Sequence, residues 1–295
     1  MALSRLAFVG LGAMGLPMAQ HLAAAGFSVR GYDVRPKGRA AFAAAGGAAC
    51  GTLAEAAAGA QALLLMVVDG AQAEDVLFAQ GALIALAPGA AVLLMATCPP
   101  QTVARIAGRV LEAGYRFVDA PVSGGVAGAE AAALTIMAAA PTGTLADVQP
   151  VLEALGERIF HVGTEPGQGA TVKAVNQLLC GVHIAAAEAL ALAERVGVDL
   201  PVVLEILCGS AASSWMLRDR GPRMLEAEPR VTSAVDIFVK DLWIVLEAGR
   251  GAKAALPLAS LAHQLFLSTS GRGEGARDDS QVVRAYRLLN GAKTL

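Results

Sequence analysis

Gly10-Leu11-Gly12-Ala13-Met14-Gly15 is a G-x-G-x-x-G string between an apolar run, RLAFVG (5–10), and a helix-forming stretch, GLPMAQHLAAAG (15–26). Alone the string is weak in a chain with 33 glycines, but a strand before it and a helix after it give it meaning. Gly10 permits a tight turn, Gly12 lets backbone approach a pyrophosphate, and Gly15 lets helix and strand pack closely. The helix N-terminus then offers unpaired N–H groups and a partial positive charge to the anion. Asp33 closes the next apolar run, SVRGYD (28–33), 18 residues past Gly15. A carboxylate there accepts hydrogen bonds from an adenosine ribose and repels a 2′-phosphate, so NAD is expected over NADP. Arg35 is the opposing signal, because an arginine at this point serves a 2′-phosphate. The plainer alternative is a solvated aspartate and a surface arginine.

The chain prefers Arg to Lys, 18 to 5, which makes each lysine informative. Lys173 follows Gly167 and Gly169, and the sequence reads as one long helix over 171–197 with Lys173 in its first turn. A helix N-terminus and an apolar surrounding both disfavour the cation, pushing the amine down from its ordinary pKa of about 10.4 towards neutrality. Such an amine takes the proton of an alcohol as hydride leaves, and returns it in the reverse direction. The alternative is a surface lysine whose stem covers the helix start. Asn176 and Gln177, three and four residues on, share its helix face and offer amides to a substrate hydroxyl or carboxylate. Ser123-Gly124-Gly125 follows a strand-like run, YRFVDA (115–120), where a hydroxyl and two unhindered N–H groups make a carboxylate cradle or simply a turn.

These residues need elements to hold them. The first half alternates short apolar runs with alanine-rich helical stretches: after 5–10 and 28–33 come ALLLMVV (62–68), AVLLMA (91–96), 115–120, ALTIMAA (133–139) and RIFHVG (158–163). That pattern predicts a parallel sheet covered by helices on both faces. Beyond the turn-forming GTEPGQG (163–169) strand-like runs stop, and 171–197, 201–208, 213–226, 235–250, 257–269 and 279–289 read as helices, with Asp278, Asp279 and Ser280 as helix-start residues for the last. The expected fold class is α/β, an N-terminal doubly wound Rossmann domain (1–164) followed by an all-helical C-terminal domain (165–295) for substrate and oligomerisation. The long apolar helix predicts a homodimer or homotetramer.

Composition excludes several classes. Hydrophobic residues are 55% and charged residues 16%, too apolar for disorder, and a net charge of -2 gives no footprint for nucleic acid or an anionic membrane. Apolar stretches are interrupted before about 18 residues, so no membrane span is expected. The N-terminus resembles a signal peptide superficially, but Gly10, Gly12, Gly15 and Pro17 interrupt it and a second strand follows. Cys50, Cys98, Cys180 and Cys208 lie far apart, and His21, His161, His183 and His263 lack metal-ligand spacing. No disulfide framework and no metal are expected, and the cytoplasm is the expected setting.

Four ordered segments resemble the β-hydroxyacid dehydrogenase family over nearly the whole chain: FVGLGAMGLPMA (8–19), DAPVSGG (119–125), GQGATVKAVNQ (167–177) and KDL (240–242). The resemblance implies a nicotinamide-dependent oxidoreductase of a small hydroxy acid, with Lys173 catalytic, Ser123, Gly124 and Gly125 anchoring the acid, and Asn176 and Gln177 on the substrate. It places Thr97 and Lys240 against the cofactor, and Val67 and Val68 where the family usually carries Leu-Pro. Asp241 either orients Lys240 or pairs with an arginine, and is given no chemistry. The segments 96–103 and 233–242 resemble the branch acting on L-threonate, so that or a similar sugar acid is the expected substrate. The alternatives are 3-hydroxyisobutyrate oxidation, NADPH-dependent reduction of tartronate semialdehyde or glyoxylate, and a dinucleotide sensor without turnover. A 6-phosphogluconate-type enzyme needs a longer helical domain. Imine reductases resemble this architecture without a lysine at position 173.

Overall fold

The structure is a computed structural model that describes residues 3–292. The chain divides into two compact units at Lys173/Ala174. The first is built on nine strands: β1 (Arg5–Val9), β2 (Ser28–Tyr32), β3 (Ala48–Ala49), β4 (Ala62–Leu65), β5 (Ala91–Leu94), β6 (Arg116–Asp119), β7 (Val122–Ser123), β8 (Thr135–Ala139) and β9 (Arg158–Gly163). They form one sheet in the order β3-β2-β1-β4-β5-β6-β8-β7, with β9 on β8. Helices connect them: α1 (Gly15–Ala24), α2 (Pro36–Ala44), α3 (Leu53–Ala57), α4 (Gly70–Glu74), α5 (Ala82–Ala85), α6 (Pro100–Glu112), α7 (Gly125–Glu130) and α8 (Thr142–Glu153).

Alternate residues of one strand feed opposite faces of this sheet. Leu64 joins Phe8, Met18, Leu22 and Leu93 in one core layer, while Leu63 and Leu65 join Val9, Val92, Ile106 and Val110 in the other. Two buried faces require strands apolar at every position, and β4 and β5 are fully buried throughout. The strands from β3 to β6 are parallel, as the alternation with helices predicts. The expectation of a parallel sheet fails at β8, which runs antiparallel to β6 and β7, with β9 parallel to it. After β6 the chain runs on in the same direction through Ala120 and Pro121 into β7, and α7 then brings it back as β8; a connection this short suits reversed strands, whereas a parallel return needs a full crossover.

The second element group is helical: α9 (Gln168–Gly181), which carries the unit boundary, then α10 (Ile184–Val196), α11 (Leu200–Gly209), α12 (Trp215–Leu225), α13 (Val235–Ala252), α14 (Pro257–Thr269) and α15 (Val283–Leu289). The single helix expected over 171–197 is therefore two. The first begins three residues earlier, and a tight turn at Val182–His183 separates them, with His183 N–H bonded to the Cys180 carbonyl and Ala185 N–H to that of Val182. His183 Nδ1 meets the same Cys180 carbonyl at 2.7 Å, and its ring packs on Phe238 and Phe266. Residues 168–196 are long and apolar enough to cross a membrane by composition, but the break divides them.

The second unit's apolar core gathers Ile184, Leu190, Phe238, Leu242, Phe266 and Val283. Beside it lies a buried ion network. Arg220 gives a two-pronged contact to Asp279 (3.0 and 2.8 Å) and pairs with Asp219, while Arg223 reaches Asp278 at 3.1 Å. Asp278 also accepts the N–H groups of Ser280 and Thr232, so the expected helix-start aspartate caps the 3₁₀ turn Asp279–Val282 that leads into α15. All four cysteines are free thiols.

Candidate active site

Four residues and one loop expected to serve a ligand follow the carboxyl ends of neighbouring parallel strands: Gly10 after β1, Asp33 after β2, Val67 after β4, Thr97 after β5, and the 123–125 loop beyond β6. That edge is where doubly wound sheets bind their ligands. Gly10 has φ +99°, and a Cβ on it would sit 2.3 Å from the Met66 carbonyl oxygen. A Cβ on Gly15 would lie 1.8 Å from the Gly10 carbonyl oxygen, so both positions exclude any side chain. Leu11 is buried beneath the turn, while Gly12 and Ala13 lie towards its surface. Met14 occupies the N-cap of α1 without a side-chain hydrogen bond, and the first turn holds no acidic residue. An uncapped helix start behind a glycine turn fits a dinucleotide pyrophosphate.

Asp33 is almost fully buried. Its Oδ2 accepts the Leu11 N–H at 2.8 Å, and its Oδ1 accepts the Arg35 N–H at 2.8 Å and Nε at 3.2 Å. Burial pushes its carboxyl up, but the Arg35 bonds and charge, with the Leu11 N–H, outweigh it and hold the group below the usual range. It therefore pins the glycine loop as well as offering lone pairs to a ribose. The Arg35 side chain is 68% exposed and faces Gly12, at 3.1 Å from where that residue's Cβ would be. Val67 is half-buried beside the Gly10 turn; Val68 is exposed, its N–H bonded to Gln72. Thr97 is half-buried directly beyond β5.

Ser123 pairs with Thr135 across β7 and β8, and Gly124 and Gly125 carry the chain into α7 with φ of +128° and +61°. Lys173 is buried, at 6% exposure. It is the sixth residue of α9 rather than a first-turn residue, because the helix starts at Gln168. The dipole has faded there, leaving burial as what separates it from a surface lysine. Asp119, at the end of β6, has no role in the sequence reading yet is buried at 1% exposure, its Oδ2 accepting the N–H groups of Gly167 (2.9 Å) and Ala170 (3.0 Å). Burial outweighs these bonds and pushes its carboxyl up to about 6.

In the second unit, Gln177 Nε2 donates to Asp241 Oδ2 at 2.5 Å, and Lys240 Nζ lies 2.8 Å from Asp241 Oδ1. Asp241 is 3% exposed and lies in ion-pair range of Lys240. Asn176 Oδ1 accepts from the Cys180 thiol at 3.7 Å. The signals for Asp119 and Asp241 were present only as acids inside motif strings; their partners lie 48 and 64 residues away in sequence. Among the described residues no group of three or more His, Cys, Asp or Glu is placed to hold a metal ion.

Comparison with known proteins extends this geometry. Residues 5–163 match the NAD binding domain of 6-phosphogluconate dehydrogenase, and residues 167–286 the NAD-binding domain of NADP-dependent 3-hydroxyisobutyrate dehydrogenase. The chain is 43% identical over 280 residues to L-threonate dehydrogenase of Cupriavidus necator, covering 94% of each protein. It is 40% identical over 293 residues to the L-threonate dehydrogenase of Escherichia coli K12, covering 97% of this chain and 96% of that one. Among solved structures, a 3-hydroxyisobutyrate dehydrogenase from Salmonella typhimurium superimposes with a TM-score of 0.90 at 37% identity, over 95% of this chain and 99% of its own.

Proposed function

The chain belongs to the β-hydroxyacid dehydrogenase family, an NAD-binding group of oxidoreductases, and on that footing we propose that it oxidises the hydroxyl of L-threonate or a similar sugar acid to the oxo acid, with Lys173 as general acid and base. The observation that carries this reading is a buried lysine on a helix whose start is bonded to the carboxyl end of β6, in the same unit as the glycine turn. Bound NAD supplies the hydride acceptor. Lys173 takes the hydroxyl proton in oxidation and returns it in reduction. The Ser123 hydroxyl and the N–H groups of Gly124 and Gly125 hold the substrate carboxylate. Asn176 orients the substrate, and Gln177, tied to Asp241, joins that helix to the anchor of the cofactor-contacting Lys240. Gly10 to Gly15 (with Leu11, Gly12, Ala13 and Met14 between), Asp33, Val67, Val68 and Thr97 make up the cofactor surface.

In this reading residues 1–164 bind the dinucleotide, while residues 165–295 serve the substrate and associate with further copies as a homodimer or homotetramer. Pairs of exposed apolar residues four apart support association: Val175 and Leu179 on α9, Leu192 and Val196 on α10, Val202 and Ile206 on α11. Four free thiols are consistent with a cytoplasmic enzyme. NADP-dependent reduction is the second reading, favoured by the exposed Arg35 guanidinium beside Asp33.

The test is reduction of NAD followed by absorbance on a panel of L-threonate, 3-hydroxyisobutyrate, D-glycerate and 4-hydroxybutyrate. Turnover with NAD is expected to be best on L-threonate, and Lys173→Ala to lower kcat about 10³-fold with NAD binding unchanged. Silence of the wild type across the panel with both NAD and NADP overturns the reading.

A further inference from the structure

We propose that Asp119 is a positioning residue for proton transfer: its side chain fixes the start of α9, and with it Lys173, against the sheet edge from which the Ser123 loop departs. The inference rests on the reading of Lys173 given above. Asp119 Oδ2 holds the N–H groups of Gly167 and Ala170, and the Gly169 N–H also bonds to the carboxylate. Three donors converging on one group call for a side chain that only accepts, and an ionised carboxylate does. An asparagine in its place would turn an NH2 towards one of those donors.

The approach is close. A Cβ on Gly169 would sit 2.6 Å from the Met137 carbonyl oxygen, 2.8 Å from that of Asp119 and 3.0 Å from Asp119 Cγ, so glycine alone lets α9 begin there. Lys173 lies three residues past Ala170, one helical turn, so a shift of the helix start passes through a rigid segment to the amine. In the other direction, Asp119 is four residues before Ser123, and its backbone is held between Leu94 on β5 and Ala139 on β8. The acid-holding loop and the amine-bearing helix therefore take their positions from the same residue. Stability does not account for the charge, since burial of the carboxylate outweighs its bonds to the backbone. A costly buried group at the root of a candidate site is instead what a functional constraint leaves behind.

The experiment compares wild type, D119N and D119A by single-turnover hydride transfer, by NAD dissociation constant and by thermal melting. A misplacement of about 1 Å at the reacting atoms costs about 10²-fold, and that loss in the single-turnover rate constant is expected for D119A, with NAD affinity within about threefold of wild type. D119N is expected to melt at or above the wild-type temperature while its rate constant falls about tenfold, an intermediate loss for a side chain that keeps some acceptor capacity. A merely structural role lowers the amplitude, which counts folded molecules, and leaves the rate constant alone; that result overturns the proposal. Wild-type rate constants in both variants overturn it equally. A wild type silent on the whole substrate panel defeats the functional reading and this inference together, whereas an active wild type with unaltered variants defeats only the inference.

Discussion

A single carboxyl carries the clearest pH signature in this protein. The folded state lets Asp119 keep its proton up to about 6, against an ordinary value of 3.8. Between those two values the folded chain binds more protons at this site than the unfolded chain does, so the unfolding free energy falls as pH rises. The contribution is about 3 kcal/mol from complete protonation to complete ionisation. Denaturant titrations from pH 4 to pH 7 are expected to show wild type losing stability relative to D119N through that window and running parallel to it above. Parallel curves throughout would mean the carboxyl titrates normally. At this scale the glycine turn and Asp33 were legible in the sequence, because each sits at a fixed offset from a strand boundary, whereas Lys173 was expected in a first turn that it does not occupy. The anchoring by Asp119 and Asp241 was not legible, since a hydrogen bond to a partner tens of residues away leaves no local spacing.

Among the elements, α12 and the 3₁₀ turn before α15 depend on one another through charge as well as through the apolar core that Met216, Met224 and Val282 share. Arg220 is buried at 6% exposure with Asp279 completely covered, and Asp279 holds it by two bonds. Desolvation works against the Arg220 charge, but Asp279 and Asp219 more than offset it and raise its pKa. Removing one partner strands the other charge, so Asp279→Ala is expected to cost about 3–5 kcal/mol in chemical denaturation. A loss below about 1 kcal/mol would show that water or Asp219 takes over. Sequence pattern found every helix of this unit to within a few residues but ran α9 and α10 together, because the apolar period continues across Val182 and His183, and Gly181 at the end of α9 is one glycine in a glycine-rich chain with no proline after it. The reversed β8 was hidden for a related reason: a buried strand reads the same in either direction.

At the scale of the whole molecule, exposed apolar pairs on α9, α10 and α11 predict association. Leu179 is 66% exposed and Ile206 61%, unusual for residues of their kind on helices that do not meet another surface. Light scattering is expected to give two or four times the 29.8 kDa of the chain, and Leu179→Glu with Ile206→Glu to reduce that mass. A wild type measured at one chain's mass at micromolar concentration would remove the interface. The two-part organisation was legible because strand-like runs stop where the turn cluster at 163–169 begins. How many copies assemble was not, as a periodic stripe records that a face is apolar and not the symmetry that covers it. The ion network has one further consequence, and it concerns time. Arg223 and Arg220 wait for partners 55 and 59 residues downstream. At about 5–20 residues per second, a ribosome takes roughly 3–12 s to deliver them. For that interval α12 is an unfinished cationic segment, so chaperone engagement during translation should concentrate there and end as the closing aspartates emerge.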